Sequence, residues 1–343
     1  MPNTAYGYDA REREHDWPGH PENRQRLAGT LHRLEQAGLL DTLPLVAATP
    51  VSDARLQRAH TAQHIARIEA FAQRGGGYLD PDTYVTPASA TAARVAAGGL
   101  TNLMLAVIDG VYDNGMALVR PPGHHASAGV AEGFCLYNNI AVAARTAQAE
   151  RAIARTLIVD FDVHHGNGTE AIFVDEPGVL FFSTHQYPYY PGTGAILDTG
   201  RGAGQGFTVN VPLPAGVGDT GYAAVYEQIL WPAARRYQPQ LILVSAGFDA
   251  HWDDPLAGEL LSLAGYAHLV RELIAMAAEL CEGRLVFVLE GGYNLDVLQV
   301  AVTNTLQLLR DPTAKTADPF GPAPRREREI DGLLRRVREV HRL

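Results

Sequence analysis

Cysteine is nearly absent from this 343-residue chain, which has only Cys135 and Cys281. Two widely spaced thiols cannot form a disulfide framework, and the count fits a reducing compartment. No apolar run approaches the ~18 residues of a membrane span. The first residues, Met1 to Trp17, are polar and charged and lack the basic-then-apolar order of a signal peptide. A cytoplasmic protein is therefore expected, with no membrane partner. Basic excess is missing too: the net charge is −10. An acidic surface is a poor match for a nucleic-acid backbone, though an acidic rim can draw in a cationic substrate. Internal repeats and low-complexity segments are also lacking.

What is present is a well-packed composition, 46% hydrophobic and 19% charged. Short apolar runs read as strands: Met116–Val119, Thr156–Phe161, Val179–Thr184, Phe207–Val211, Leu241–Ala246 and Leu285–Leu289. Amphipathic stretches near 22–39, 54–73, 88–112, 137–150, 219–237, 261–281 and 294–310 separate them. Apolar strands alternating with helices predict a mainly parallel sheet covered on both faces. One domain spanning 1–343 is expected, its core at about 15–310. A proline-containing linker at 311–324 and a charged C-terminal helix at 325–343 follow.

The chemistry collects just after the strands. Asp160-Phe161-Asp162-Val163-His164-His165-Gly166-Asn167-Gly168 follows the strand at 156. On an extended backbone Asp160, Asp162 and His164 share a face, with Asp162 and His164 about 7 Å apart. A carboxylate and an imidazole so placed suit a divalent metal, zinc above all. Asp249, just beyond the strand at 241, is the choice for third ligand. Taken singly, such an aspartate is as well read as a helix cap or turn former.

Arg120-Pro121-Pro122-Gly123 stiffens the approach to His124-His125. Beside a metal these imidazoles suit proton transfer, with Asp160 and Asn167 as candidate orienting partners. Tyr293, after Gly291-Gly292, can donate to a developing oxyanion, or it is a core aromatic with a wet tip. Phe134 and Tyr190 can wall a narrow channel for a linear aliphatic chain, or simply pack. In an open parallel sheet these post-strand loops should meet at the carboxyl ends of the strands.

Taken together and in order, Arg120–His125, Gly133-Phe134-Cys135, the Asp160–Gly168 run, Pro191–Gly194, Ala246–Asp249 and Glu290–Tyr293 resemble the zinc-dependent histone deacetylase superfamily, over roughly residues 15 to 310. That superfamily includes acetylpolyamine amidohydrolases. The resemblance implies an arginase-like three-layer α/β/α fold with an eight-stranded, mainly parallel sheet. It implies one catalytic zinc on Asp162, His164 and Asp249. His125 would be general base and acid, His124 an electrostatic aid oriented by Asp160, Asn167 the partner of His125, and Tyr293 the oxyanion donor. Gly133, Phe134 and Tyr190 would line an acyl-lysine tunnel. Potassium is implied near the zinc, at Asp160, Asp162, His164, Ser183 and Thr184. A second potassium would fall at Phe173, Glu176, Val179 and Phe207.

Two departures from the family pattern matter. Asn167 stands where many nuclear members carry aspartate, giving His125 a neutral partner. Leu256 stands where members specialised for acetylpolyamines tend to carry glutamate. Asp82 is a candidate rim carboxylate for the substrate backbone, with Asp80 close by. The reaction expected is metal-assisted hydrolysis of an acyl-lysine or small acylated amine. The alternatives are acetylpolyamine hydrolysis, a manganese ureohydrolase and a non-catalytic binder of acylated ligands. A homo-oligomer is compatible with the sequence.

Overall fold

The computed structural model describes residues 2–343. Among these residues ten strands run in chain order: β1 Thr4–Tyr8, β2 Leu45–Ala47, β3 Gly77–Tyr78, β4 Tyr84–Val85, β5 Asn114–Ala117, β6 Thr156–Asp160, β7 Val179–Gln186, β8 Thr208–Leu213, β9 Leu241–Ala246 and β10 Leu285–Leu289. Eight form one sheet in the order β2-β1-β5-β10-β9-β6-β7-β8. Every pairing in it is parallel. β3 and β4 make a separate antiparallel pair.

The apolar strands dictate this arrangement. Alternate side chains of one strand enter opposite layers: Leu285, Phe287 and Leu289 face one apolar core, Val286 and Val288 the other. β6 and β9 divide in the same way. Helices Gln25–Gln36 and Leu295–Arg310 pack together on the first face, and Ser89–Ile108 packs with Asn139–Arg151 on the second. The eight-stranded α/β/α sandwich expected from the resemblance is therefore present.

Order decides where a ligand can sit. From β6 the chain moves outward to β7 and β8, then returns to β9 and moves the other way to β10. β6 and β9 are neighbours with diverging connections, so a crevice opens at their carboxyl ends.

Several expectations are corrected. β1 and β2 were not foreseen; both are short, and β1 carries a glycine and two tyrosines rather than an aliphatic run. The helical stretch at 54–73 is two helices, Asp53–Leu56 and Ala62–Gln73, because Ser52 and Thr61 each cap a new start. Ser89–Ile108 is long and apolar enough to cross a membrane by length and composition, contrary to the reading that no such run exists. It lies in the core, with Leu100, Leu103 and Met104 fully buried. Residues 311–324 are not a free tether. Asn304 exchanges two hydrogen bonds with the main chain of Ala317, and Trp252 Nε1 donates to Gly321 O at 3.0 Å. The charged C-terminal stretch forms the helix Asp331–His341, which buries Leu334 and Val337 against the domain.

Candidate active site

Asp162 and His164 do not sit on an extended strand as expected. β6 ends at Asp160, and residues 161–166 form a bent loop. Asp160 therefore turns elsewhere, while the bend itself brings Asp162 and His164 together. His164 Nδ1 lies 3.2 Å from Asp162 Oδ1 and 3.2 Å from Asp249 Oδ2. Asp249 reaches this point from the loop after β9. The ligand atoms of the three residues all lie within 4.8 Å of one another, and all three side chains are nearly or fully buried.

The surroundings fit a cation. Asp162 Oδ2 accepts from Gly291 N at 2.7 Å and Asp249 Oδ1 from Val163 N at 2.9 Å, which aims the remaining oxygens inward. Asp249 Oδ2 is buried and, apart from His164 Nδ1 at 3.2 Å, has no polar partner among the described residues. A buried carboxylate oxygen without a hydrogen bond of its own is costly unless a positive charge faces it. Burial works against a charge on His164, yet Asp162 and Asp249 lift its pKa well above the usual imidazole value. Two carboxylates and an imidazole with this donor chemistry suit zinc. Gly291 makes the approach possible, since a Cβ there would fall 2.0 Å from Asp249 Oδ2.

The paired histidines stand next to this centre, their ring centroids 4.0 Å apart. His124 Nδ1 donates to Asp160 Oδ2 at 3.0 Å. Burial opposes a charge on His124, but Asp160 and Asp162 raise its pKa to about 10. His125 Nδ1 donates to Asn167 Oδ1 at 2.7 Å, and Asn167 Nδ2 donates to Glu132 Oε1 at 2.6 Å. Burial, then the charges on His124 and His164, hold the His125 pKa well below the usual value. This favours the neutral imidazole, and the Nδ1 bond to Asn167 leaves Nε2 to accept a proton.

Several positioning groups were not singled out from the sequence. Glu290 Oε2 accepts from Gly123 N at 2.6 Å and His124 N at 3.2 Å, and Oε1 accepts from Ser245 Oγ. It clamps the histidine loop onto β9 and β10. Burial pushes its pKa up to about 7. Asp254 Oδ2 accepts from Tyr293 N at 2.7 Å and Asn294 N at 3.0 Å. Arg26 donates to the carbonyls of Glu290 and Gly292, with its guanidinium carbon 5.2 Å from the Tyr293 ring centre. Each group sits far in sequence from the backbone it holds, so no local pattern announces it.

Above the centre lies a cavity of about 230 Å³ lined by Asp82, His125, Gly133, Phe134, His164, Tyr189, Tyr190, Leu256 and Tyr293. Every residue named from the sequence as lining a substrate channel is among them. Phe134 stands edge-on to Tyr293 at 5.8 Å, and Tyr190 edge-on to His125 at 5.2 Å. The sequence reading missed Tyr189. Its ring stacks on His164 at 5.7 Å and its hydroxyl donates to Leu256 O at 2.9 Å, joining two loops across the mouth. Asp80 is occupied in shaping its own turn, accepting from the backbone of Asp82 and Thr83, which leaves Asp82 at the cavity wall. A larger cavity of about 680 Å³, lined in part by Arg155, Phe207 and Tyr237, opens at the amino ends of β6, β7 and β8. Apart from Phe207, named for the second potassium, it contains none of the residues named for zinc binding or catalysis, and it lies at the opposite end of the strands.

The residues named for potassium lie near β7. Asp160 and Ser183 pair in register, Ser183 Oγ shares a hydrogen bond with His185 Nδ1 at 2.9 Å, and Thr184 Oγ1 is buried without a partner among the described residues. Phe173, Glu176, Val179 and Phe207 surround the entry to β7, where the Glu176 carboxylate is held by Arg145.

The chain matches the histone deacetylase domain over residues 20–309. It is 39% identical over 306 residues to a probable deacetylase of Archaeoglobus fulgidus, covering 86% of this chain and 85% of that protein. It is 38% identical over 316 residues to the polyamine deacetylase HDAC10 of Homo sapiens, covering 88% of this chain and 46% of that protein. The crystal structure of the HDA15 HD domain superposes with a TM-score of 0.89 at 36% identity, covering 98% of this chain and 95% of that one.

Proposed function

The chain belongs to the histone deacetylase family and is a deacetylase, a hydrolase of amide bonds; from that premise we propose that it removes acetyl or other short acyl groups from the ε-amine of lysine, or from a related small amine, with one zinc ion. The observation that carries this reading is the buried cluster of Asp162, His164 and Asp249 at the base of a narrow aromatic-walled cavity. Held by those three residues, zinc would polarise the acyl carbonyl and make water acidic enough to deprotonate near neutral pH.

The rest is done by side chains. His125, neutral and open at Nε2, takes the proton of the attacking water. His124, charged by Asp160 and Asp162, supplies positive potential beside it. The Tyr293 hydroxyl donates to the oxygen that gains negative charge. His125 then returns its proton to the departing amine. Phe134 and Tyr190 hold the methylene chain, and water is excluded by the same rings. Potassium on Asp160, Asp162, His164, Ser183 and Thr184, and a second ion near Phe173, Glu176, Val179 and Phe207, belong to the same proposal. Two buried free thiols support a cytoplasmic setting.

A second reading is acetylpolyamine hydrolysis. Asp82 at the mouth favours it, because a carboxylate there can meet a distal ammonium. Leu256 on the same wall favours lysine. Metal analysis of the purified protein, with kcat/KM compared on acetyl-lysine peptides and acetylpolyamines, tests both. About one zinc per chain and faster turnover of the peptide are expected. Asp249→Asn should lose metal and activity together. Full activity in a metal-free preparation would overturn the proposal.

A further inference from the structure

Asn167 poses a problem that its neighbour solves. A side-chain amide has the same outline either way round, with oxygen and nitrogen exchanged. With oxygen toward His125, the ring carries its proton on Nδ1 and leaves Nε2 free. With nitrogen toward His125, Nδ1 must accept, the proton moves to Nε2, and the ring can no longer act as a base on the cavity side. Aspartate at 167 would present only acceptors and would face no such choice.

The structure assigns that choice to Glu132. Its carboxylate, which can only accept, lies 2.6 Å from Asn167 Nδ2. It draws the amide nitrogen to itself and so turns the oxygen to His125 at 2.7 Å. We propose that Glu132 is a positioning residue that fixes the tautomer of His125 through Asn167. Glu132 is well placed for this: its carbonyl accepts from Cys135 N at 3.0 Å, which closes the turn carrying Gly133 and Phe134 against His125. The same carboxylate polarises the amide toward the imidazolium formed in turnover, restoring at one remove the negative charge that a neutral Asn167 lacks.

This inference rests on His125 acting as the base of the deacetylation proposed above. The experiment is a double-mutant cycle on the zinc-loaded enzyme, with an acetyl-lysine peptide as substrate. Glu132→Ala alone frees the amide to turn and should lower kcat on the order of 10–100-fold, with KM and metal content unchanged. Glu132→Gln, which can still accept through its amide oxygen, should recover part of the loss. In an Asn167→Asp background the orientation no longer needs fixing, and adding Glu132→Ala should change kcat about twofold at most. Nitrogen NMR of His125 gives a readout independent of turnover. Wild type should show a single Nδ1-protonated ring and Glu132→Ala a mixture. An equal loss in both backgrounds, or an unchanged His125 spectrum, would overturn the relay and make Glu132 a plain structural residue. A wild-type enzyme with no deacetylase activity would instead strike at the proposed function itself.

Discussion

At the scale of single residues, the site depends on how closely backbone can approach side chain. Gly133 has φ +56°. A Cβ added there would lie 2.3 Å from His125 Cδ2. Gly133→Ala must therefore displace the imidazole or unfold the turn, and the ring is the softer of the two. A shift near 1 Å at a reacting group costs on the order of 100-fold in rate. Gly133→Ala should lose about that much kcat while retaining its metal, read by turnover alongside metal content. Tyr293→Phe makes the complementary case. It keeps the ring against Phe134 and Arg26 and removes only the hydroxyl. Loss of one oxyanion donor should lower kcat on the order of 100-fold or more with the fold intact. Unchanged turnover in that variant would leave the oxyanion without its donor from this chain.

At the scale of elements, legibility in the sequence followed burial on both faces. β9 and β10 were placed to the residue because a strand sandwiched between helices is apolar along its whole length. The loops that follow them were legible because polar, glycine-rich segments interrupt that apolarity abruptly. β1 and β2 were not legible, since short strands with mixed composition owe their place to neighbours distant in sequence. The shared face of Asp160, Asp162 and His164 was misread for a related reason, although the pairing of Asp160 with His124 was not. Period-two reasoning holds only while the strand lasts, and β6 stops there to turn Asp160 toward His124. The positioning roles of Glu290, Asp254 and Arg26 were invisible because what they hold is mainly backbone, which has no sequence signature. The helix Asp331–His341 was expected, and its packing yields a prediction. Leu334 is only 2% exposed and belongs to the main core. Leu334→Ala should cost roughly 2–5 kcal/mol. Urea unfolding followed by circular dichroism and by tryptophan fluorescence should shift together. A fluorescence midpoint that stays in place would mean the helix melts separately from the domain.

At the scale of the molecule, buried titratable groups pull stability in opposite directions with pH. His60, His251 and His341 are held neutral by burial, with pKa values pushed down to about 3, about 4 and about 4. The unfolded chain protonates these rings near pH 6.5 while the folded protein does not. Their effect is absent above that pH, and stability falls as pH drops toward 4. Glu259 acts on the other side. Burial lifts its carboxyl to about 8. One oxygen accepts from Val217 N at 2.7 Å, and the other is buried without a hydrogen-bond partner among the described residues. Between the unfolded value near 4.3 and the folded value, the native protein holds a proton that the unfolded chain has released. The associated stability is fully present below that lower value and is lost as pH rises toward 8. The loss should be on the order of 2–4 kcal/mol once partial hydration is allowed for. Glu259→Gln keeps an acceptor for Val217 and has no proton to lose. Urea midpoints measured from pH 5 to pH 9 should decline for the wild type as pH rises toward 8 and stay nearly level there for the variant, while below about pH 6.5 the histidines lower both, the wild type less steeply because protonation of Glu259 still adds stability. Parallel curves across the whole alkaline range would show that Glu259 ionises in the folded protein as readily as in the unfolded chain.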